Sequence, residues 1–270
     1  MIRVDGESGV VAIVGDPIAQ AKSPELFNAL FERQAIHAVL VPFRVAANDL
    51  TGALDGLSRI GNLAGVILTV PHKRAGITHA STLTSQARSV GAVNCLRREA
   101  DGTWAGAMFD GIGFVDGLLA CGHAVRGKSA LLVGAGGAGV AIAHALVDAG
   151  IASIDVFDSD VASLRHLIGA LRERATNVVV SEYAACAGFT HDLVINATPC
   201  GMSADDPCPI DLAGANPRAV VADIIMKPAE TRLLKEARLR GLVMHPGRHL
   251  LENSVHEIAA FLGLPVRPES

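Results

Sequence analysis

Ser129–Val147 reads SALLVGAGGAGVAIAHALV, and its centre, Gly134-Ala135-Gly136-Gly137-Ala138-Gly139, fits G-x-G-x-x-G. The apolar run Ala130–Val133 leads into it and suits a buried parallel strand. An Ala-rich run follows and suits a helix, with Gly150 as its C-terminal stop. Strand, glycine turn and helix open a dinucleotide-binding unit. The first glycine permits the tight turn, the second lets backbone approach a pyrophosphate, and the third lets helix and strand pack closely. The helix N-terminus then offers N–H groups and a positive dipole end to phosphate. Two plainer readings stand beside this one. Small residues also pack helices, and a run without Asp, Glu, Lys or Arg is compatible with a membrane span. The turn inside it and its Gly/Ala content speak against the span.

The rest of the chain fits a globular α/β protein. At 270 residues it is long enough for one large or two small domains. Hydrophobic residues at 50% and charged residues at 19% exclude a disordered chain. A net charge of −4 without a Lys/Arg run argues against nucleic acid as a partner. Met1–Glu7 begins no long apolar stretch, so no secretory leader and no membrane anchor are expected, and the setting is read as cytoplasmic. Cys95, Cys121, Cys186, Cys200 and Cys208 are scattered without C-x-x-C, which favours reduced thiols over disulfides and predicts no metal.

Before the glycine unit, strands are expected at Val10–Val14, His37–Val45, Gly65–Val70 and Val93–Arg97. Helices are expected from Ser23 (an N-cap before Pro24), from Asn48 to Ile60 and over Thr84–Ser89. This alternation predicts a mostly parallel sheet covered on both faces. After a short extended Trp104–Met108 comes an apolar helix to Cys121. Further strands fall at Ser153–Phe157, Val178–Val180, Leu193–Ala197, Ala219–Ile225 and Leu242–His245. Helices follow Asp160 or Ser159, span Pro228–Leu239, and close the chain over Leu250–Leu262. Domains are placed at 1–105, 106–241 and 242–270.

The end of the second strand of the glycine unit bears on the cofactor. Asp158 in Val156-Phe157-Asp158-Ser159-Asp160 follows Gly134 at near the roughly 20-residue spacing of an acid that bonds a ribose 2′-OH. No Lys or Arg stands in 156–160 to meet a 2′-phosphate, although Arg165 lies one to two turns on. NAD is therefore expected ahead of NADP. A helix N-cap is the structural alternative for Asp158. Proton-transfer candidates are Lys73, just beyond a buried strand at a Pro turn, Asp110, and the histidines His72, His245 and His249. By position alone Lys73 is equally a solvated surface side chain.

Taken in order, several motifs resemble the shikimate/quinate dehydrogenase family. They are Gly15-Asp16-Pro17-Ile18-Ala19, Lys22-Ser23-Pro24, Thr69-Val70-Pro71-His72-Lys73, Gly91-Ala92-Val93-Asn94, Asp110-Gly111, Gly134-Ala135-Gly136-Gly137 and Asn196-Ala197-Thr198-Pro199. The resemblance implies an N-terminal α/β substrate domain, a Rossmann dinucleotide-binding domain, last helices that return to the first domain, and an active site in the cleft. It implies that Lys73 relays the proton of the reacting hydroxyl while Asp110 bonds that hydroxyl. It places Ser23, Thr69 and Asn94 at the substrate. Gly134, Ala135, Gly136, Gly137, Ala138, Asp158, Asn196, Ala197, Thr198, Pro199, Ile225 and Gly247 fall at the cofactor. The partner so implied is a small cyclic hydroxy acid, and the assembly a monomer or homodimer.

The chain also departs from the family pattern. Ala21 replaces the first Ser of S-x-S, and Ile67 the Asn of N-V-T-V-P-x-K. Phe109 stands in the family's N-T-D, Met226 for its Tyr, and Ser254 for the Gln of its last helix. These positions would hold a substrate carboxylate and hydroxyls. Each buried polar group left unpaired costs about 1–3 kcal/mol. The expectation is a catalytic pair kept and a pocket remodelled, with shikimate a poor substrate. Arg248 and His249 are candidates for a new carboxylate contact or simply a solvated helix start. Phe109 is a candidate to stack on an apolar ring or to pack in the core. Two alternatives stay open: an ordinary shikimate or quinate dehydrogenase, and a non-catalytic nucleotide or ligand sensor.

Overall fold

The computed structural model describes residues 4–183 and 190–267; Cys186 lies outside them. The chain divides into two compact units, one running to Phe109 and resuming at Ser254, the other spanning Asp110–Asn253.

In the first unit, strands β1 (Gly9–Gly15), β2 (Ala38–Arg44), β3 (Leu63–Leu68), β4 (Thr82–Leu83), β5 (Cys95–Arg98) and β6 (Trp104–Ala107) form a sheet in the order β2-β1-β3-β5-β6-β4. β1 runs parallel to both β2 and β3, while β5 is antiparallel to its neighbours β3 and β6. The near-continuous burial of β1 and β3 is what a sheet covered on both faces requires. Helices α1 (Ser23–Arg33), α2 (Leu50–Leu57) and α3 (Ser85–Val90) connect the strands. Thr84 caps α3 by accepting the Ala87 N–H, and Gly91, at φ 67°, ends it in the left-handed conformation. Phe27, Leu30 and Phe31 of α1 are fully buried, each contributing on the order of 1.5–3 kcal/mol.

Two expected helix starts differ. The N-cap of α1 is Lys22, so Ser23 is the first residue inside the helix. Asn48 sits within a single 3-10 turn, Ala47–Asp49, which precedes α2.

In the second unit, α4 (Asp110–Ala120) precedes β7 (Ser129–Val133), α5 (Gly137–Asp148), β8 (Ser153–Phe157), α6 (Val161–Arg174), β9 (Val179–Glu182), β10 (Leu193–Asn196), β11 (Val220–Asp223), α7 (Arg232–Leu239), β12 (Val243–Pro246) and α8 (Arg248–Glu252). All six strands pair in parallel, in the order β12-β11-β10-β7-β8-β9. The order reverses between β7 and β10, the switch point at which doubly wound sheets bind dinucleotides. Leu131, Val133, Val194, Val221, Leu233 and Ala237 build one core beneath it.

The helix expected from Pro228 begins at Arg232, because the Thr231 hydroxyl accepts the Leu234 N–H and caps it there. The single closing helix is two helices. The Asn253 amide and N–H both donate to the His249 carbonyl and stop α8, and α9 (Val255–Phe261) starts afresh in the first unit. α9 is held on the first sheet at Gly65, where a Cβ would sit 2.4 Å from Leu262 Cδ2 and 2.3 Å from the Leu96 carbonyl oxygen. Among the described residues no helix is long and apolar enough to cross a membrane.

Candidate active site

The glycine turn joins β7 to α5. Gly134 has φ 109°, a conformation that L side chains avoid, and its N–H donates to Phe157 O at 2.8 Å. A Cβ on Gly139 would lie 1.9 Å from Gly134 O, so α5 starts here only because that residue is glycine. Gly136 behaves differently. It is the N-cap of α5, with φ −73° and ψ −177°, and a Cβ there would meet nothing within 4 Å. The first and third glycines are demanded by the protein's own packing. The second faces open space at a helix N-terminus, where Gly137 and Ala138 begin the turn whose N–H groups lack intrahelical acceptors. That combination fits a dinucleotide pyrophosphate.

Asp158 closes the turn from the β8 side. Its Oδ2 accepts the Ala135 N–H at 2.6 Å and its Oδ1 accepts the Asp160 N–H at 2.8 Å. The N-cap of α6 is Asp160, which accepts from the Ala162 N–H and the Ser163 hydroxyl. Asp158 therefore serves as the clamp of the glycine turn rather than as the helix cap.

Beside the turn, β10 ends in Asn196-Ala197-Thr198-Pro199. Asn196 Oδ1 accepts both the N–H and the hydroxyl of Thr198, at 3.1 and 2.7 Å, while its Nδ2 donates to Cys200 O and Asp223 Oδ2. Asp223, 1% exposed at the end of β11, was given no role by the sequence. It accepts from Ile225 N–H at 3.0 Å, Thr231 hydroxyl at 2.7 Å and Asn196 Nδ2 at 3.2 Å. Burial pushes its carboxyl above the ordinary range, while these hydrogen bonds pull it back. The only sequence signal was an acid ending an apolar strand, Val220-Val221-Ala222-Asp223. Gly247 packs on the same strand end: a Cβ would approach Ile224 O to 2.6 Å and Ile225 O to 2.7 Å. Ile225 is buried and Met226 half-buried.

In the first unit the loops after β1 and β3 lie together. Thr69 N–H donates to Val14 O at 3.0 Å and Asp16 N–H to Val70 O at 2.9 Å. A Cβ on Gly15 would lie 2.4 Å from Thr69 Cγ2. His72, 1% exposed, donates from Nε2 to Val45 O at 2.8 Å, which anchors the loop and assigns this histidine to structure rather than proton transfer. Lys73, next in the chain and half-buried, accepts the Val93 N–H on its carbonyl at 2.9 Å. Asn94 follows: its Oδ1 accepts the Phe109 N–H at 3.0 Å, and its backbone joins Leu68 to Ala107. Thr69, Lys73, Asn94 and Phe109 thus share the C-terminal end of β3. Ser23 and Ser254 are both buried. Ile67 is buried within β3, and Phe109 rests edge-on against Phe261 with centroids 5.6 Å apart, so its ring packs on protein.

Asp110 is the buried first residue of α4, in the second unit, where an acid suits the helix dipole. His245 and His249 lie against each other, with ring centroids 4.8 Å apart, and His249 Nδ1 is 3.3 Å from Glu252 Oε2. That engagement takes His249 away from the carboxylate-binding role considered for it, while Arg248 is exposed. Burial first, then His249 and His123, pushes His245 down to about 4.

Comparison with known proteins bears on this arrangement. Residues 13–96 match the model of the shikimate dehydrogenase substrate binding domain. A shikimate dehydrogenase (NADP(+)) of Rubrobacter xylanophilus is 36% identical over 92% of this chain and 88% of its own length. The chain belongs to the shikimate dehydrogenase family. Among solved structures, a shikimate dehydrogenase in complex with NADP+ superposes with a TM-score of 0.88 at 28% identity, over 99% of this chain and 93% of that one. The ligand-free 5-ketofructose reductase of Gluconobacter sp. strain CHM43 gives 0.82 at 26% identity, over 94% and 92%.

These relatives correct the cofactor expectation. The preference for NAD rested on Asp158, yet the curated shikimate dehydrogenase is an NADP(+) enzyme and the solved one carries NADP+. The physical reason is local: both oxygens of Asp158 hold backbone N–H groups of this chain, so an acid at that position reports a clamped turn as well as it would report a ribose contact.

Proposed function

We propose that this protein is an NADP(H)-dependent dehydrogenase that interconverts a ring hydroxyl and the corresponding ketone on a small cyclic hydroxy acid related to shikimate or quinate. The carrying observation is the shared seat of Thr69, Lys73 and Asn94 at the end of β3, fixed by the Lys73 carbonyl, the Asn94 amide and the His72 anchor. A bound nicotinamide supplies the hydride acceptor or donor. Lys73 takes the hydroxyl proton as the carbonyl forms and returns it in reduction, and Asp110 accepts a hydrogen bond from that hydroxyl and orients it. Ser23, Thr69, Asn94 and Ser254 contact the ring substituents, with Ile67, Phe109 and Met226 supplying apolar walls. Gly134–Ala138, Asn196–Pro199, Ile225 and Gly247 hold the dinucleotide, and exposed Arg165 on α6 meets the 2′-phosphate. The enzyme works as a monomer or homodimer in the cytoplasm, a setting supported by the free thiols of Cys95, Cys121, Cys200 and Cys208 among the described residues.

The apolar walls favour a substrate with fewer polar substituents than shikimate. A second reading, reduction of a non-carboxylate polyol ketone, rests instead on the likeness to the Gluconobacter 5-ketofructose reductase. A panel of shikimate, quinate, related hydroxy acids and 5-ketofructose, followed by nicotinamide absorbance, separates these. Turnover of a cyclic hydroxy acid at a kcat/KM above that of shikimate supports the first reading. Turnover of 5-ketofructose alone replaces it with the second. Shikimate as the best substrate refutes the remodelled pocket.

A further inference from the structure

Cys121 follows α4, His245 lies in β12 and His249 in α8, all within the second unit. One ligating atom from each comes within 4.8 Å of the others. His245 is 2% exposed, yet both of its ring nitrogens are buried without a hydrogen-bond partner. A neutral imidazole carries one donor and one acceptor, and leaving each unmet costs about 1–3 kcal/mol. Aromatic packing on Phe114 and His123, at 5.8 and 5.9 Å between centroids, satisfies neither nitrogen. The cluster is built tightly: a Cβ on Gly117 of α4 would lie 2.9 Å from His249 O, so α8 can sit this close to α4 only over glycine. Glu252 Oε2, 3.3 Å from His249 Nδ1, holds that ring as carboxylates hold metal-ligating histidines, leaving Nε2 to ligate.

We propose that Cys121, His245 and His249 bind a divalent transition-metal ion of zinc type. One thiolate and two imidazoles are a borderline-soft set that suits tetrahedral Zn²⁺, with His123 or water completing the shell. Bond lengths of about 2.0–2.1 Å to nitrogen and 2.3 Å to sulfur place tetrahedral ligand atoms about 3.3–3.7 Å apart. The observed 4.8 Å spread closes to that with side-chain rotation of about an ångström. Binding forms one Zn–S and two Zn–N bonds and releases the Cys121 thiol proton to solvent. His245 and His249 stand at H-x3-H spacing, a zinc-type signal, but Cys121 is distant in sequence and no C-x-x-C accompanies them, so the sequence-based expectation of no metal passed over the pair.

Chelator-treated protein titrated with Zn²⁺ by calorimetry, and with Co²⁺ by absorption, tests the site. The expected result is one equivalent of Zn²⁺, tetrahedral Co²⁺ bands and a sulfur-to-cobalt charge-transfer band. Cys121→Ser, at an exposed position, abolishes the charge-transfer band and weakens Zn²⁺ binding at least about tenfold. Glu252→Gln weakens it about tenfold. His166→Gln, an exposed histidine elsewhere, changes nothing. If His245→Ala does not fold, Cys121→Ser and Glu252→Gln still decide. No Zn²⁺ binding to the wild type, or equal binding by wild type and Cys121→Ser, overturns the proposal.

Discussion

Gly136→Ala separates a glycine kept for a ligand from glycines kept for the fold. The backbone at 136 is extended, at φ −73°, and accepts any L-residue. The added methyl meets nothing within 4 Å. Alanine is a poorer N-cap than glycine, and the cost to stability is on the order of 0.5–1 kcal/mol. That lowers Tm by roughly 1–2 °C in a chain of this size. For the cofactor the methyl enters the space above the α5 N-terminus. A pyrophosphate pushed back by it loses one or two charge-assisted hydrogen bonds, each about 1.5–3 kcal/mol. The KM for the dinucleotide therefore rises about tenfold or more, at 1.4 kcal/mol per decade. Gly139→Ala is the contrast: its Cβ would stand 1.9 Å from Gly134 O, so it fails by unfolding or misfolding. Initial rates against dinucleotide concentration, alongside thermal melts, give both quantities. A natively folded Gly136→Ala enzyme with a KM within about twofold of wild type refutes the phosphate assignment.

Asp223→Ala strands three donors, from Ile225, Thr231 and Asn196, and lowers unfolding free energy by about 3 kcal/mol. Urea titration checks this, and a loss under about 1 kcal/mol contradicts it. His144 is held at about 4, by burial first and then by Arg174, whose guanidinium donates to its Nδ1 at 2.7 Å. Its folded value lies below the unfolded value, so its contribution is intact above about pH 6.5 and falls as pH drops toward 4. The loss from pH 7.5 to 5 is up to about 2 kcal/mol. Denaturation at both pH values checks it, and His144→Gln flattens that difference. Arg165→Gln raises the KM for NADP+ about tenfold and leaves that for NAD+ unchanged; equal changes for both remove Arg165 from the 2′-phosphate.

The second unit's fold was legible because its signals were local. An apolar strand, three glycines at fixed spacing and the Asp160 cap each act within one turn of chain. The loop Thr69–Lys73 was legible for the same reason, as a strand ending in a Pro turn. Long-range partnerships hid the rest. Pro228 reads as a helix start, yet Thr231 is chosen because its hydroxyl both caps α7 and donates to Asp223 on another strand. The closing helix reads as one stretch, yet the Asn253 amide folds back to His249 and breaks it. Asp158 looked like a cofactor selector because spacing reveals where a carboxylate stands and not which N–H groups have already claimed it.

The most direct test of the central claim is the initial rate of nicotinamide reduction by wild type and Lys73→Ala, with the substrate that the panel identifies. Loss of proton transfer predicts a kcat lower by about 10²–10⁴-fold with the dinucleotide KM unchanged. A Lys73→Ala enzyme whose kcat stays within about threefold of wild type contradicts the account.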